Sequence, residues 1–370
     1  MVIVDFLLEL AGATILLLFA VRMVRTGVER AFGASFRRLV TGSKARFKAT
    51  LAGMALAAIM QSSLAVAILI TGFVSAGSLS FQLGLPAMLG ADLGSALIIQ
   101  FLSLDIGWLA PLLLVVGGLM FLKSQSPIPK QIGRAFLGVA LILLALESMR
   151  ATVIPIRDSS FLPQISTSLT RDFITAFLIG TVLTFIMHSS VASVLMIVTM
   201  VSIDALPLMV GLSLMLGANL GSSLLPLWVT RAMPPLARQV PLMNFLIRGS
   251  VSIIMVIAVN RSPIVEFLPD INDAQKIIFC HVLFNSLLLL AVPFSGLLER
   301  VTSTLMAKEL ANLDKMPVHY RSVINQDNLD NIEVAIASIR RETQRMLLLI
   351  EEMMLPIMEL FKEYDVKQMD

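Results

Sequence analysis

The sequence predicts an all-α polytopic membrane protein built from two inverted repeats with broken or re-entrant helices, followed by a short cytoplasmic helical tail. Composition is the first observation behind this prediction. Of 370 residues, 57% are hydrophobic and 14% are charged, whereas soluble domains carry about 25% charged residues. The second observation is a series of at least seven apolar stretches, each near the length of about 20 residues that a bilayer span requires. An internal duplication is the third.

The duplication appears when the sequence is shifted by 127 residues. Gly53–Leu97 then aligns with Gly180–Leu224 without a gap, and 21 of the 45 positions are identical. The flanking spans correspond as well, because Gly12–Met23 resembles Gly138–Met149. Together these matches predict four parts: repeat 1 (1–130), repeat 2 (131–260), a final span (261–300) and a helical tail (301–370).

Each repeat is predicted to contain an apolar span, a long motif region and a closing span. The ranges are about 4–24, 48–104 and 106–122 in repeat 1, about 131–149, 171–230 and 239–259 in repeat 2, and about 275–298 for the final span. The motif regions are too long for one crossing, and three segments fit each of them. The loop orientations require each motif region to cross the membrane an odd number of times. A re-entrant hairpin followed by one crossing helix fits both this requirement and the length.

The distribution of charge predicts the orientation. Residues 22–48 carry eight Lys or Arg and one acid, so the positive-inside rule places them in the cytoplasm. The charges of the other loops agree only if the two repeats have opposite orientations. Residues 1–300 hold 20 basic and 13 acidic residues, and 301–370 hold 8 and 12. We therefore expect a multi-pass protein of the cell (inner) membrane, in contact with lipid, with a cytoplasmic tail and no nucleic-acid partner.

Two duplicated polar motifs interrupt the apolar sequence. The first consists of Gln61, Ser62 and Ser63 in repeat 1, and of His188, Ser189 and Ser190 in repeat 2. Polar groups persist in hydrocarbon only where something satisfies them. Ser hydroxyls can cap a broken helix, and the N–H groups at its N-terminus attract anions. Two such ends that face each other would form an anion site; the alternative is that the small residues only permit close helix packing.

The second motif is Gly90-Ala91-Asp92-Leu93-Gly94-Ser95, repeated as Gly217-Ala218-Asn219-Leu220-Gly221-Ser222. Its glycines suit a helix break, a tight helix crossing, or carbonyl groups turned towards an ion. An acid within a span indicates a functional site, although Asp92 could instead pair with a polar neighbour. Oxygen atoms of this region suit a hard cation such as Na⁺, and the candidate ligands are Asp92, Ser95, Asn219, Ser222 and Ser223. The supporting residues are Gly90, Gly94, Gly217, Gly221, His281 and Asn285.

Four polar residues in the apolar sequence of repeat 2 and the final span have more than one possible role. His188 could donate a hydrogen bond to an anion, titrate, or replace Gln as a neutral group. His281 and Asn285 share one helix face, and we expect them to form hydrogen bonds between helices. Arg248 either extends to the membrane surface or attracts an anion.

Signatures of catalysis are missing from the sequence. It contains no Walker A motif, no dinucleotide-binding glycine turn, no HExxH and no Gly-x-Ser-x-Gly. We therefore expect no catalytic residues, no enzymatic activity and no organic cofactor, and ion coupling or passive transport as the natural alternatives.

The two duplicated motifs, together with His281-Val282-Leu283-Phe284-Asn285, resemble the sodium/phosphate (Na/Pi, type II) cotransporter family. The chain is most similar to the bacterial branch, which carries a C-terminal PhoU-like domain, and Ala335–Met354 resembles the start of that domain. The resemblance covers essentially the whole chain. It implies a symporter for inorganic phosphate and sodium, in which the Ser-Ser hairpins bind phosphate and the adjacent elements bind Na⁺.

Two alternatives to sodium-coupled phosphate transport remain open from the sequence. The chain could carry another small anion or use protons through Asp92 and His188, or it could be a membrane-bound phosphate sensor or scaffold. The apolar face of the second tail helix predicts that the tail is incomplete or forms a homodimer.

Overall fold

The computed structural model describes residues 2–41, 45–104, 107–157, 167–314 and 332–362. Within these ranges all regular secondary structure is helical, which confirms the predicted all-α class. Hydrocarbon offers no water to backbone N–H and C=O groups, and a helix satisfies both internally. The chain divides into two compact units, Met1–Thr302 and Ser303–Asp370, which are described separately.

The described residues of repeat 1 form five helices. They are α1 (Val2–Thr41), α2 (Arg46–Met60), α3 (Ser63–Ser75), α4 (Phe81–Leu102) and α5 (Leu109–Lys123). The predicted motif region, 48–104, therefore contains three helices. Helices α2 and α3 have 15 and 13 residues, which gives lengths of about 20–22 Å at about 1.5 Å per residue. They are shorter than the hydrocarbon core of about 30 Å, whereas α4, with 22 residues, is long enough to cross it.

Repeat 2 has the same order of helices. They are α6 (Pro127–Arg157), α7 (Phe173–Met187), α8 (Ser190–Ser202), α9 (Leu208–Val229) and α10 (Pro235–Arg261). Helices α7, α8 and α9 have 15, 13 and 22 residues, the same lengths as their counterparts in repeat 1. Each motif region is thus a hairpin of two short helices followed by one long helix, as the sequence predicted.

Six helical segments of the described residues are long and apolar enough to cross a membrane. They are Val4–Phe32, Phe81–Leu102, Pro127–Ile154, Leu208–Val229, Pro235–Arg261 and Asp273–Leu305. The sequence predicted at least seven spans, and the difference lies in the closing span of repeat 1. That span is α5, whose 15 residues reach only about 22 Å.

The left-handed backbone positions repeat at the same shift of 127 as the sequence. Among the described residues, positive φ angles occur at Gln61 (51°), His188 (53°), Asp204 (57°) and Gly77 (67°). Gln61 and His188 form one repeat-related pair, and Gly77 and Asp204 form the other. The duplication is therefore present in the backbone conformation as well as in the amino-acid sequence.

Glycines allow the long helix of each repeat to pack closely against the first helix of its hairpin. A Cβ atom on Gly90 would lie 2.0 Å from the carbonyl oxygen of Thr50, and one on Gly217 would lie 1.9 Å from that of Phe177. The same overlap occurs for the pairs Gly53–Ala87, Gly180–Leu214, Gly94–Met54 and Gly221–Thr181. We call the two assemblies the α2–α4 pair and the α7–α9 pair.

Helices α4 and α9 run without a break through both glycine motifs. Of the alternatives left open for Gly90, Gly94, Gly217 and Gly221, a helix break does not occur, and the tight crossing is the one present. These two helices are the most buried of the candidate spans. Helix α11 (Asp273–Leu288), in the predicted final span, packs on α4, α8 and α9, so it contacts both repeats.

Helix α11 is followed by a 3₁₀ segment, Leu289–Phe294, and by α12 (Ser295–Leu305). The second unit contains α13 (Ala307–Asp314) and α14 (Ile332–Lys362). Helix α14 lies within the predicted tail helix, of which residues 327–331 and 363 fall outside the described ranges. Several apolar side chains of α14 are exposed, among them Ile336, Ile339, Met346, Ile350 and Met353.

Candidate functional site

The two Ser-Ser motifs form the tips of the two short hairpins. Helix α2 ends at Met60 and α3 begins at Ser63, so Gln61 and Ser62 make the turn. Gln61 adopts a left-handed conformation with φ 51° and ψ 32°, and His188 adopts the same conformation with φ 53° and ψ 24°. Such a conformation costs a non-glycine residue about 1–2 kcal/mol. Its presence in both repeats shows that both hairpins turn in the same way.

Ser62 and Ser189 cap the helices that follow the turns. The hydroxyl oxygen of Ser62 accepts a hydrogen bond from the backbone N–H of Ala65, and that of Ser189 accepts one from Ala192, each at 3.2 Å. A cap oxygen satisfies only one of the first four N–H groups of a helix. Other N–H groups of the first turn remain available to a ligand.

Both hairpin tips line one polar pocket. Its walls are formed by Gln61, Ser62, Ser63, Leu64, His188, Ser189, Ser190, Val191, Ser222 and Leu225. All six residues that the sequence assigned to an anion site are therefore in one place. Helices α3 and α8 begin at this pocket, and the N-terminus of each helix carries a partial positive charge of about half an elementary charge. The arrangement suits a small anion with several acceptor oxygens.

The polar side chains at the two tips differ in their contacts. The side-chain oxygen of Gln61 is buried and has no hydrogen-bond partner among the described residues. The Nδ1 atom of His188 lies 2.9 Å from the carbonyl oxygen of Ile186, and a carbonyl can only accept. The proton of a neutral His188 is therefore on Nδ1, and its Nε2 is an acceptor.

Of the predicted sodium ligands, only Ser222 lines this pocket. Its hydroxyl donates to the carbonyl oxygen of Asn219 at 2.9 Å. The equivalent Ser95 donates to the carbonyl oxygen of Asp92 at 2.8 Å, and Ser223 donates to Leu220 at 2.7 Å. Because each hydroxyl uses its hydrogen in these bonds, its oxygen keeps lone pairs for a cation.

Asp92 forms a buried ion pair with Arg248. The Oδ1 atom of Asp92 lies 2.5 Å from Nη1 of Arg248, and the two residues are 4% and 1% exposed. The other carboxylate oxygen accepts a hydrogen bond from the side-chain amide of Asn244 at 3.2 Å. The structural alternative for Asp92, a pair with a polar neighbour, is thus present. Of the two alternatives left open for Arg248, extension to the membrane surface is excluded, because its side chain is almost fully buried.

Arg248 also contacts the equivalent residue of the other repeat. Its Nη2 donates a hydrogen bond to Oδ1 of Asn219 at 2.6 Å. The amide nitrogen of Asn219 lies 3.2 Å from Nδ1 of His281 on α11. This confirms the expectation that His281 forms a hydrogen bond between helices. Asn285 donates to the carbonyl oxygen of His281 in its own helix at 2.8 Å. We call Asp92, Asn219, Asn244, Arg248 and His281 the central cluster.

The sequence did not predict that Arg248 and Asn244 join Asp92. A signal was available for Arg248, since charged residues within spans usually pair with one another, and Asp92 and Arg248 carry opposite charges. The sequence could not predict that the Asp92 and Arg248 side chains are in contact, because 156 positions separate them in the chain. Among the described residues no group of three or more His, Cys, Asp and Glu side chains is placed to hold a metal ion.

The comparisons with known proteins agree with this architecture. The model of the family described as Na⁺/Pi-cotransporter matches residues 16–151 and 159–279. The chain belongs to this family. The matched ranges include both hairpins, both glycine motifs and Arg248. They confirm the family that the motifs indicated, while the PhoU-like character of the tail stays a prediction.

Similar proteins from three bacteria support the same assignment. The chain is 35% identical over 358 residues to the Escherichia coli (strain K12) protein named "Putative inorganic phosphate export protein YjbB", covering 94% of this chain and 64% of that protein. It is 34% identical over 354 residues to the Salmonella typhimurium protein of the same name, with the same coverage. It is 28% identical over 307 residues to "Uncharacterized protein YqeW" of Bacillus subtilis, covering 81% of this chain and 99% of that protein.

The chain spans about two thirds of the length of the YjbB relatives, 64% by alignment. No solved structure matches it significantly. The fold and the pocket described above therefore provide the structural basis for assigning a function to this chain.

Proposed function

We propose that this protein is a secondary transporter that moves inorganic phosphate across the cell (inner) membrane, coupled to Na⁺. One observation carries the proposal: two capped helix N-termini, one from each repeat, open into a single polar pocket. The family to which the chain belongs is described as Na⁺/Pi-cotransporter, and the YjbB relatives are named for phosphate export. Both names support phosphate as the anion.

The chemistry of the pocket fits phosphate. Phosphate presents several acceptor oxygens, and helix N-termini supply N–H donors together with positive potential. Ser63 and Ser190 lie in the first turns of their helices and line the pocket, so their hydroxyls can donate as well. The amide of Gln61 and the ring of His188 complete the polar wall. Each repeat thus contributes one half of the site, as in transporters that bind substrate between repeats.

The Na⁺ ligands that we propose are serine hydroxyls of α4 and α9. The hydroxyl oxygens of Ser95, Ser222 and Ser223 keep lone pairs for a hard cation, and Ser222 adjoins the phosphate pocket. Asp92 and Asn219 are in contact with Arg248, so the cation ligands we propose are the hydroxyls. Coupling by protons is the second candidate, and the presence of His188 in the pocket favours it.

The direction of transport follows from the ion gradients. An inward Na⁺ gradient drives a symporter towards import, whereas the YjbB relatives are named for export. We propose that the carrier is reversible and that the phosphate gradient sets the direction. The tail is proposed to be cytoplasmic, where the charge distribution of the loops places it. A PhoU-like role of the tail and a homodimer are further proposals.

The experiment is uptake of radiolabelled phosphate by proteoliposomes that contain the purified protein. Three conditions are compared at constant pH and ionic strength: an inward Na⁺ gradient, the same gradient of choline, and an inward proton gradient. Accumulation that requires the Na⁺ gradient supports the whole proposal. Accumulation driven only by the proton gradient would support the phosphate site and would show that the coupling ion is H⁺ instead of Na⁺.

Efflux from vesicles preloaded with phosphate completes the test. We expect phosphate to leave the vesicles when the ion gradient is reversed. A folded protein that moves no phosphate in either direction would contradict the proposal. In that case, transport of other small anions and phosphate-dependent binding by the tail would test the two remaining alternatives, a different substrate and a sensor or scaffold.

A further inference from the structure

We propose that Arg248 is a built-in cation of the transport site, which occupies the position between Asp92 and Asn219 where a Na⁺ ion would otherwise bind. The inference deepens the proposed function, on which it rests for the meaning of the site. It concerns one position only, so that coupling ions bound elsewhere in the protein are compatible with it.

The position of the guanidinium is the first argument. Asp92 and Asn219 are equivalent residues of the two repeats. One guanidinium group contacts both, with Nη1 at 2.5 Å from Oδ1 of Asp92 and Nη2 at 2.6 Å from Oδ1 of Asn219. Arg248 thus fills the gap between the two positions, and it does so from α10, which belongs to only one repeat.

The chemistry of the surrounding atoms is the second argument. A carboxylate and side-chain amide oxygens are the ligands that hard cations take. Asp92 and Asn219 provide two of them. Asn244, whose amide nitrogen donates to Asp92, has a buried Oδ1 without a hydrogen-bond partner among the described residues. The sequence predicted Na⁺ from these same residue types. The set suits a cation, and the cation present is the guanidinium.

Burial makes the two cations exclude each other. Arg248 is 1% exposed and Asp92 is 4% exposed, so little water screens the charges. His281 is the other titratable side chain of the central cluster and contacts Asn219 rather than Asp92. One carboxylate cannot compensate two positive charges at contact distance in such surroundings. Na⁺ therefore has no place here while Arg248 is present.

The position links Arg248 to the phosphate pocket through both repeats. Asp92 lies on α4, which is packed against α2, and α2 ends at the hairpin tip at Gln61. Asn219 lies on α9, which is packed against α7 and its tip at His188, and Ser222 of the pocket is one turn further along α9. Arg248 is thus a positioning residue: it holds the α2–α4 pair and the α7–α9 pair in register.

The test measures the melting temperature of the purified full chain in NaCl and in choline chloride, at equal ionic strength and without phosphate. The variants are Arg248→Met, which exposes Asp92 to a mobile cation, and the double variant Asp92→Asn/Arg248→Met, which removes both charges. We expect Arg248→Met to gain a Na⁺-specific rise in Tm of about 3 °C or more over that of the wild type. The double variant should lose this gain.

A Na⁺-specific shift in the wild type that equals or exceeds that of Arg248→Met would overturn the inference. So would a gain in Arg248→Met that survives Asp92→Asn. If Arg248→Met does not fold, the double variant decides: replacing both members of a buried pair is often neutral, so folding of the double variant supports the role of Arg248 as the cation of Asp92, and its failure contradicts it.

The assay contains no phosphate, so its result does not depend on the proposed function. If the wild type moves no phosphate but Arg248→Met gains the Na⁺ response, the function fails and the built-in cation stands. If the wild type moves phosphate and Arg248→Met gains no Na⁺ response, the proposed function stands and the built-in cation fails.

Discussion

The two repeats agree at the hairpin tips and differ at the glycine motifs. The turns at Gln61 and His188 have φ angles within 2° of each other (51° and 53°), and the cap hydrogen bonds of Ser62 and Ser189 are both 3.2 Å. At the centre, repeat 1 has Asp92 where repeat 2 has Asn219. The two hairpin tips contribute equivalent positions to the anion pocket, 61–64 and 188–191, whereas the single Arg248 is compensated by the single acid Asp92. Symmetry is therefore kept where phosphate is proposed to bind and lost where one charge must be compensated.

The largest expected effect comes from breaking the packing that both repeats share. Gly90→Ala and Gly217→Ala each place a Cβ about 2 Å from a backbone carbonyl oxygen (2.0 and 1.9 Å), and the helices would have to move apart. We expect either variant to lose more than about 4 kcal/mol of stability and to yield little folded protein. Size-exclusion chromatography and Tm measure this. The control is Gly72→Ala in α3, where nothing lies within 4 Å of the added Cβ; equal damage in the control would contradict the packing argument.

Moving the acid from one repeat to the other tests the difference between them. Asp92→Asn alone leaves Arg248 buried without a carboxylate and should cost about 3–5 kcal/mol. Adding Asn219→Asp should restore most of that stability, because Nη2 of Arg248 already contacts this side chain. Thermal unfolding of the two variants measures the recovery. A double variant no more stable than Asp92→Asn would show that the two positions are not equivalent towards Arg248.

The helix caps test the agreement between the repeats. Ser62→Ala and Ser189→Ala each remove a cap and should each lower stability by about 1 kcal/mol. The two losses should be equal within a few tenths of a kcal/mol, since the hydrogen bonds have equal length. Chemical unfolding in mild detergent provides the comparison. Losses that differ by more than about 1 kcal/mol would mean that one hairpin is held in place by other contacts.

The smallest effect is expected at the second pair of left-handed residues. Repeat 1 has Gly77 with φ 67°, and repeat 2 has Asp204 with φ 57°. Asp204→Gly should relieve strain and raise stability by about 0.5–1 kcal/mol, whereas Gly77→Asp should lower it by a similar amount. A small rise in Tm for the first and a small fall for the second would sharpen the comparison. Opposite signs would show that the Asp204 side chain stabilises its turn.

Much of this architecture could be predicted from the sequence because the duplication carries it. The shift of 127 residues gave the repeats, the three-segment motif regions and the six residues that meet in one pocket. The short closing helix α5 was not predictable from its apolar character, because α5 and its counterpart α10 are both apolar and differ in where they end. The opposite orientation of the repeats stays a prediction.

A helix break and a tight crossing both stayed open at the glycine motifs for a physical reason. Glycine within an apolar segment fits a break and a tight crossing equally well, and only the neighbouring backbone decides between them. At Gly53 and Gly180, partners in the long helices approach so closely that no Cβ fits. The central cluster was missed for a related reason: the sequence shows that Asp92 and Arg248 lie in spans, but not that their helices meet.

The central claim, that the two hairpin tips form one phosphate site, is tested most directly by the double variant Ser62→Ala/Ser189→Ala. Radiolabelled phosphate uptake is measured in proteoliposomes, beside the matched variant Asp172→Ala, which removes the cap of α7 at the end of the helix remote from the pocket. We predict that the double variant inserts into the membrane but loses uptake, while Asp172→Ala retains it. Wild-type uptake by the double variant would contradict the site.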